Sequence, residues 1–261
     1  MRRILVTNDD GILSPGLAAL VNALGRLGEV TVVAPTREAS AIGHALTLHN
    51  PLRFEQVDER MYALDGTPTD CVNVGLAVIL DRLPDLIASG INKGLNVGDD
   101  ITYSGTVSGA LEGVLLGVPS LAVSLERPAG DYDFSHAADA AALVAERMLA
   151  HGLPSRTFLN VNVPHGPPRG FRTTVQARRN HVTSVKEFRD PRGRAFYWIG
   201  EAQDDWDADA HSDHQAVRDG YISVTPLQPD MTAHDALRRV EALKLPGVEE
   251  GLASQRGAEV E

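Results

Sequence analysis

The chain has 261 residues, enough for one large α/β domain or for one domain with an extension. Its formal net charge of −11 leaves no basic surplus for a phosphodiester backbone, which argues against nucleic acid as a partner. It has no apolar run long enough to span a membrane, no signal-like segment before the first strand, and a single cysteine, Cys71, which excludes an internal disulfide. A cytoplasmic protein is expected.

Strand-like segments at Ile4–Thr7, Val30–Ala34, Leu86–Ser89, Ser120–Ser124 and Phe158–Val163 alternate with helix-like segments. The helices are expected at Gly16–Leu27, Asp70–Leu80, Val107–Leu116 and His136–Ala150. Pro15 suits the first turn of the first of them. In the last, Ala137, Ala141, Val144 and Met148 recur at helical spacing. Such alternation predicts a Rossmann-like, mostly parallel sheet with helices on both faces, spanning residues 1–164.

Beyond Pro164 the pattern changes. Loop residues His165–Gly170 lead to strand-like patches at Phe171–Ala177, Ala195–Ile199 and Tyr221–Thr225. Arg172–Ile199 reads as a protruding antiparallel β arm that needs a second subunit to bury it. A short helix is expected near Ala233–Leu243. Residues 165–245 thus form an oligomerisation extension whose strand and helix return to the core, and 246–261 form a flexible tail.

The chemistry concentrates in loops that follow strands, which in a parallel sheet share one edge. The first, Asn8-Asp9-Asp10-Gly11, sets two carboxylates side by side, where a hard cation would relieve their repulsion. Asp-Gly after a strand is also an ordinary turn. The second loop holds Ser40 and His44, and the third runs Asn92-Lys93-Gly94-Leu95-Asn96. Asn96 could add a carbonyl ligand and Ser40 a hydroxyl. Ser104-Gly105-Thr106 opens a helix, where hydroxyls and free N–H groups suit a phosphate, although Ser104 could equally be a plain N-cap. Lys93 would add a cation near the same anion. Cys71 reads as core packing, and the run Asp204–Asp209 as a solvated acidic loop.

Taken together, the motifs resemble the stationary-phase survival protein (SurE) family of metal-dependent nucleotide phosphatases. The matching blocks are Ile4–Gly11, Val33-Ala34-Pro35 with Ser40-Ala41 and Gly43-His44, Gly66–Val72, Ser89–Gly94 with Asn96, Ser104–Gly113 and Gly220–Leu227. The resemblance covers about residues 1–243. It implies hydrolysis of nucleoside monophosphates, with activity at the 3′ position or on short polyphosphate as extensions. It further implies one divalent cation per subunit, Mg²⁺ or Mn²⁺, on Asp9, Asp10, Ser40 and Asn96. Asn92, Ser104, Gly105 and Thr106 would bind phosphate, so that Asp9, Asp10, Asn92, Ser104 and Thr106 carry the catalysis. A homodimer or homotetramer is implied, with the arm and the C-terminal helix used in assembly.

Three other readings compete. An aspartyl-phosphate-forming phosphatase ordinarily places Asp-x-Asp after its first strand, whereas the order here is Asn8-Asp9-Asp10. A signalling receiver needs a third aspartate after its third strand and about half this length. A nucleotide-binding module without turnover would share the loops but release no phosphate.

Overall fold

Two of the expected strands, β1 (Arg3–Thr7) and β2 (Glu29–Pro35), lie side by side and parallel, Ile4 opposite Val30 and Val6 opposite Val32. The structure, a computed structural model, describes residues 1–178, 184–200 and 206–244. The chain divides into two units, Met1–Leu227 and Gln228–Glu261. In the first unit β3 (Phe54–Asp58), β4 (Met61–Leu64), β5 (Leu86–Lys93), β6 (Ser120–Leu125), β7 (Phe158–Val163), β8 (Phe171–Thr173) and a later strand, Ile222–Leu227, join β1 and β2. Together they form a nine-stranded sheet among the described residues. A separate antiparallel hairpin holds β9 (Ser184–Arg189) and β10 (Ala195–Gly200), so the later strand is β11. The sheet order is β3-β4-β2-β1-β5-β6-β7-β11-β8. Its central strands run parallel, whereas β3 and β11 run antiparallel to β4 and β7.

Alternate side chains of each central strand face opposite layers. Ile4, Val6, Val32, Ala34, Leu86, Ala88, Leu121 and Val123 pack into one apolar cluster. That cluster also takes Leu17, Leu20 and Leu24 of α1 (Pro15–Leu24) and Ala137, Ala141 and Met148 of α4 (Ser135–His151). Leu5, Val33 and Ile87 point the other way, toward Cys71 and Val72 of α2 (Pro68–Val74). Val107 and Ala110 of α3 (Gly105–Leu115) meet Ala122 and Phe158 on that second side. A period of two with both faces apolar is what a sheet covered on both sides requires.

Caps and breakers set the helix ends. Thr67 and Asp70 form a reciprocal capping box, so α2 begins at Pro68 rather than Asp70. It gives way to a wider turn at Gly75–Ile79. Ser104 caps α3 by accepting the Val107 N–H at 3.0 Å. Pro15 stands at the start of α1, as expected.

The structure amends four expectations. Strands β3, which is exposed and largely polar, and β4, a four-residue apolar segment, add to the expected set. Part of the expected arm Arg172–Ile199 belongs to the main sheet: Arg172 and Thr173 lie in β8, paired parallel with β11, and the described strands of the hairpin are β9 and β10. A short helix, α5 (Asp213–Arg218), capped by Ser212, was also missed. In the second unit the expected helix is a 3-10 turn at His234–Ala236 followed by α6 (Leu237–Glu241). The expected tail from 246 lies outside the described residues.

Candidate functional site

The chain leaves β1 in a tight turn. Asn8 Nδ2 donates to the Gly11 carbonyl at 2.9 Å, and Gly11 adopts φ +93°. A Cβ there would stand 3.2 Å from the Arg37 backbone and would also be strained, so glycine is required. The turn is stitched to the loop after β2: the Ala39 N–H donates to the Asp9 carbonyl, and the Ile12 N–H to that of Pro35, both at 2.8 Å. Strand order reverses between β1 and β5, because β2 and β4 extend one way and β5, β6 and β7 the other. Ligand crevices of open α/β sheets form at such switch points.

A cavity of about 670 Å³ opens there. Its wall includes Asp9, Asp10, Ser40, Asn92, Lys93, Asn96 and Ser104, so seven side chains singled out in the sequence do converge. Glu38 and Asp100 add two more carboxylates, and Arg127 joins Lys93 as a second cation. Four carboxylates against two cations would repel a phosphate dianion unless a further positive charge entered with it.

Asp9 is buried, with its carboxyl accepting the Thr106 hydroxyl at Oδ1. Burial, reinforced by Asp10 beside it, pushes its pKa up from 3.8 to about 6 against the opposing Thr106 bond. Burial also raises Asp10, where Lys93 holds the shift back. Asp10 Oδ2 is buried without a hydrogen-bond partner among the described residues. Such an orphaned oxygen beside a second carboxylate is what a bound cation would satisfy.

The remaining oxygen donors are pre-set to different degrees. Asn92 Nδ2 donates to the Gly94 carbonyl at 3.0 Å, and Asn96 Nδ2 to Ser124 Oγ at 2.8 Å. In each case the amide carbonyl is left for a ligand. The Asn96 backbone is clamped by Asn160 and Asn162 of β7, whereas Asn92 is the last residue but one of β5, the strand next to β1. Ser40 is exposed and donates to Glu38 at 2.7 Å. Ser104 is nearly buried, and its capping bond uses an oxygen lone pair, so its proton stays available for donation.

Other residues fall elsewhere. Thr106 is fully buried behind Asp9 and lies outside the cavity wall. Its hydroxyl is taken up by that carboxylate. Gly105 allows a close approach: a Cβ there would meet Asp9 Cβ at 2.8 Å and Oδ2 at 3.0 Å. His44 also lies outside the wall. Its Nε2 bonds Glu112 Oε2 at 2.7 Å, and Glu112 Oε1 takes Asn73 Nδ2 at 2.7 Å. The Thr47 hydroxyl and N–H bind Asp70 at 2.6 and 2.9 Å, so the loop that carries Ser40 is latched to α2 and α3. Cys71 is buried core, with its thiol pushed far up by burial. Of the acidic run, Trp206 stacks on His214 at 4.3 Å, while Asp204 and Asp205 lie outside the described residues. The loop after β6, unmarked in the sequence by any motif, brings Arg127, Pro128, Gly130 and Tyr132 to the wall. It follows a parallel strand and thus belongs to the same sheet edge, which was the available signal.

Fold and site together define an α/β protein with an acidic, oxygen-lined cavity at the carboxyl ends of its central strands. The chain belongs to the family described as survival protein SurE, whose model matches residues 4–183. It is 55% identical over 230 residues to 5′-nucleotidase SurE of Syntrophotalea carbinolica, covering 88% of this chain and 92% of that one. It is 50% identical over 238 residues to 5′-nucleotidase SurE of Pelobacter propionicus, covering 90% and 96%. The crystal structure of the SurE protein from Aquifex aeolicus is similar at a TM-score of 0.84 and 43% identity, over 93% of this chain and all of that one.

Proposed function

We propose that this chain is a divalent-metal-dependent 5′-nucleotidase that releases phosphate from nucleoside monophosphates. The observation that carries the reading is the carboxylate pair Asp9–Asp10, with its orphaned Asp10 oxygen, facing a cavity of ligand size in a chain 55% identical to a 5′-nucleotidase SurE. The donors fit a hard cation: Asp9 and Asp10, the Ser40 hydroxyl and an amide carbonyl. The family resemblance puts Asn96 on that carbonyl. Asn92 is better placed, because it is the last residue but one of the strand beside β1 and adjoins Lys93, which faces Asp10. Asn96, through the second proton of its Nδ2, would then serve the phosphate side. Mg²⁺ or Mn²⁺, one per subunit, suits this all-oxygen set.

Bound there, the ion would neutralise phosphate charge and lower the pKa of a water for in-line attack. The protein supplies the rest by positioning. Thr106 holds Asp9 in place and favours its ionised form. Ser104 donates its hydroxyl proton to a phosphate oxygen, and the first N–H groups of α3 add donors at the positive end of the helix. Lys93 offsets charge on the same oxyanion.

The exposed apolar residues of the hairpin, including Phe188, Tyr197, Trp198 and Ile199, favour assembly into a homodimer or homotetramer. Among the described residues no helix is long and apolar enough to cross a membrane, and the free, buried Cys71 suits a reducing cytoplasm. Phosphate release from a panel of 5′- and 3′-nucleotides and short polyphosphate, with Mg²⁺, Mn²⁺ or chelator, tests the reading. Metal-stimulated hydrolysis of 5′-nucleotides is expected. Equal rates with and without chelator, or no turnover with any ion, would refute it.

A further inference from the structure

Resting on the nucleotidase reading, we infer that Tyr132 is the base-recognition shelf of the site, where the nucleobase of the substrate stacks. Tyr132 lines the same cavity as the carboxylates but comes from the loop after β6. Its ring lies parallel to that of Phe134, 8° between planes and 5.4 Å between centroids. Phe134 is buried in the main apolar cluster among the α4 residues, so one ring of the pair is locked into the core. Tyr132 therefore presents a flat π-surface whose orientation is fixed before substrate arrives, and stacking on it costs little side-chain ordering.

The cavity volume of about 670 Å³ far exceeds what a phosphate and one ion occupy, which leaves room for a nucleoside along the wall. Tyr103, 61% exposed, adds a second aromatic side chain to that wall from the turn just before Ser104. Apart from the tyrosine hydroxyls, neither ring offers the hydrogen-bond pattern that would tell one base from another. Stacking alone accepts any base because every base has a π-face. The shelf thus selects nucleotides over ring-free phosphomonoesters while discriminating weakly among nucleotides.

The test compares kcat/KM for AMP and for glycerol phosphate, which has no ring, in the full chain with Mn²⁺. Tyr132→Ala should lower kcat/KM for AMP at least about fivefold, chiefly through KM, and leave glycerol phosphate within twofold. Tyr132→Phe should retain AMP turnover. Tyr132→Leu keeps apolar packing on Phe134 but lacks a flat ring, and should behave as Tyr132→Ala does even if the latter folds poorly. Adenosine, which carries no phosphate, should inhibit the wild type competitively and lose that inhibition in Tyr132→Leu. Equal losses on AMP and glycerol phosphate, or full AMP activity in both Tyr132→Ala and Tyr132→Leu, would overturn the shelf while leaving the nucleotidase reading intact. A wild type that favours glycerol phosphate over AMP would sink the nucleotidase reading and the shelf with it.

Discussion

Replacing Asp9 by Asn should make the metal-free protein more stable while removing its response to metal. Asp9 is buried, and its pKa is raised from 3.8 to about 6 by desolvation and by Asp10. In the folded metal-free state the carboxyl thus holds its proton up to about pH 6, whereas the unfolded chain releases it near 3.8. Stability therefore falls as pH rises through that window, and the penalty is complete above pH 6. At 1.36 kcal/mol per pH unit the window corresponds to about 3 kcal/mol. An asparagine keeps the shape and can still accept the Thr106 hydroxyl, but it cannot ionise. For a chain of this size, relief of that penalty would raise Tm at pH 8 by up to roughly 6–12 °C. The assay is thermal unfolding of wild type and Asp9→Asn in chelator at pH 8 and pH 4.5, repeated with Mn²⁺. The gap between the two proteins should be largest at pH 8 and much smaller at pH 4.5. Mn²⁺ should raise Tm of the wild type, and do so more at pH 8, but not that of the variant, which should also be nearly inactive. A variant that melts below the wild type at pH 8 in chelator, or a gap independent of pH, would refute the account of Asp9 as a strained, cation-requiring carboxylate.

Thr106→Val should weaken Mn²⁺ binding and move its pH dependence upward, since Thr106 lowers the Asp9 pKa; titration calorimetry at pH 6 and pH 8 reads this, and unchanged metal affinity at both would count against the positioning role. Gly105→Ala should cost about 1–3 kcal/mol by crowding Asp9, with a matching loss of metal affinity visible in denaturant unfolding with and without Mn²⁺. Glu112→Gln should weaken the latch on the Ser40 loop by about 1–2 kcal/mol at pH 7. The Glu112 pKa is held below its usual 4.5, first by the His44 bond, so that contribution should be full above 4.5 and fade as pH falls further; a loss that persists undiminished at pH 3 would contradict it. Deleting Arg189–Arg194 at the hairpin tip should shift the assembly toward monomer in light scattering, and a monomeric intact chain at micromolar concentration would refute the oligomer.

The local signals in this sequence were sufficient for the frame. Apolar runs such as Ile4–Thr7 and Leu86–Ser89 are legible as strands because a sheet covered on both faces excludes polar residues from its centre. Pro15 and Ser104 mark helix starts because capping is a short-range event of one turn. Asp9-Asp10 stood out because two adjacent carboxylates at a strand end conflict with folding unless something neutralises them. The edge strands were not legible: Phe54–Asp58 is exposed along its length and has no apolar pattern, and the register against β4 is what makes it a strand. Arg172 could not be assigned to the main sheet from the sequence, since its partner Ser223 lies some fifty residues away. The roles within the site were decided by three-dimensional packing. Thr106 and Ser104 sit two residues apart in one motif, yet only the fold turns the first inward onto Asp9 and leaves the second at the cavity wall. Tyr132 has no local mark at all; its place beside the carboxylates follows from β6 running parallel to β5, which brings the loop after it to the same edge as Asp9 and Asp10.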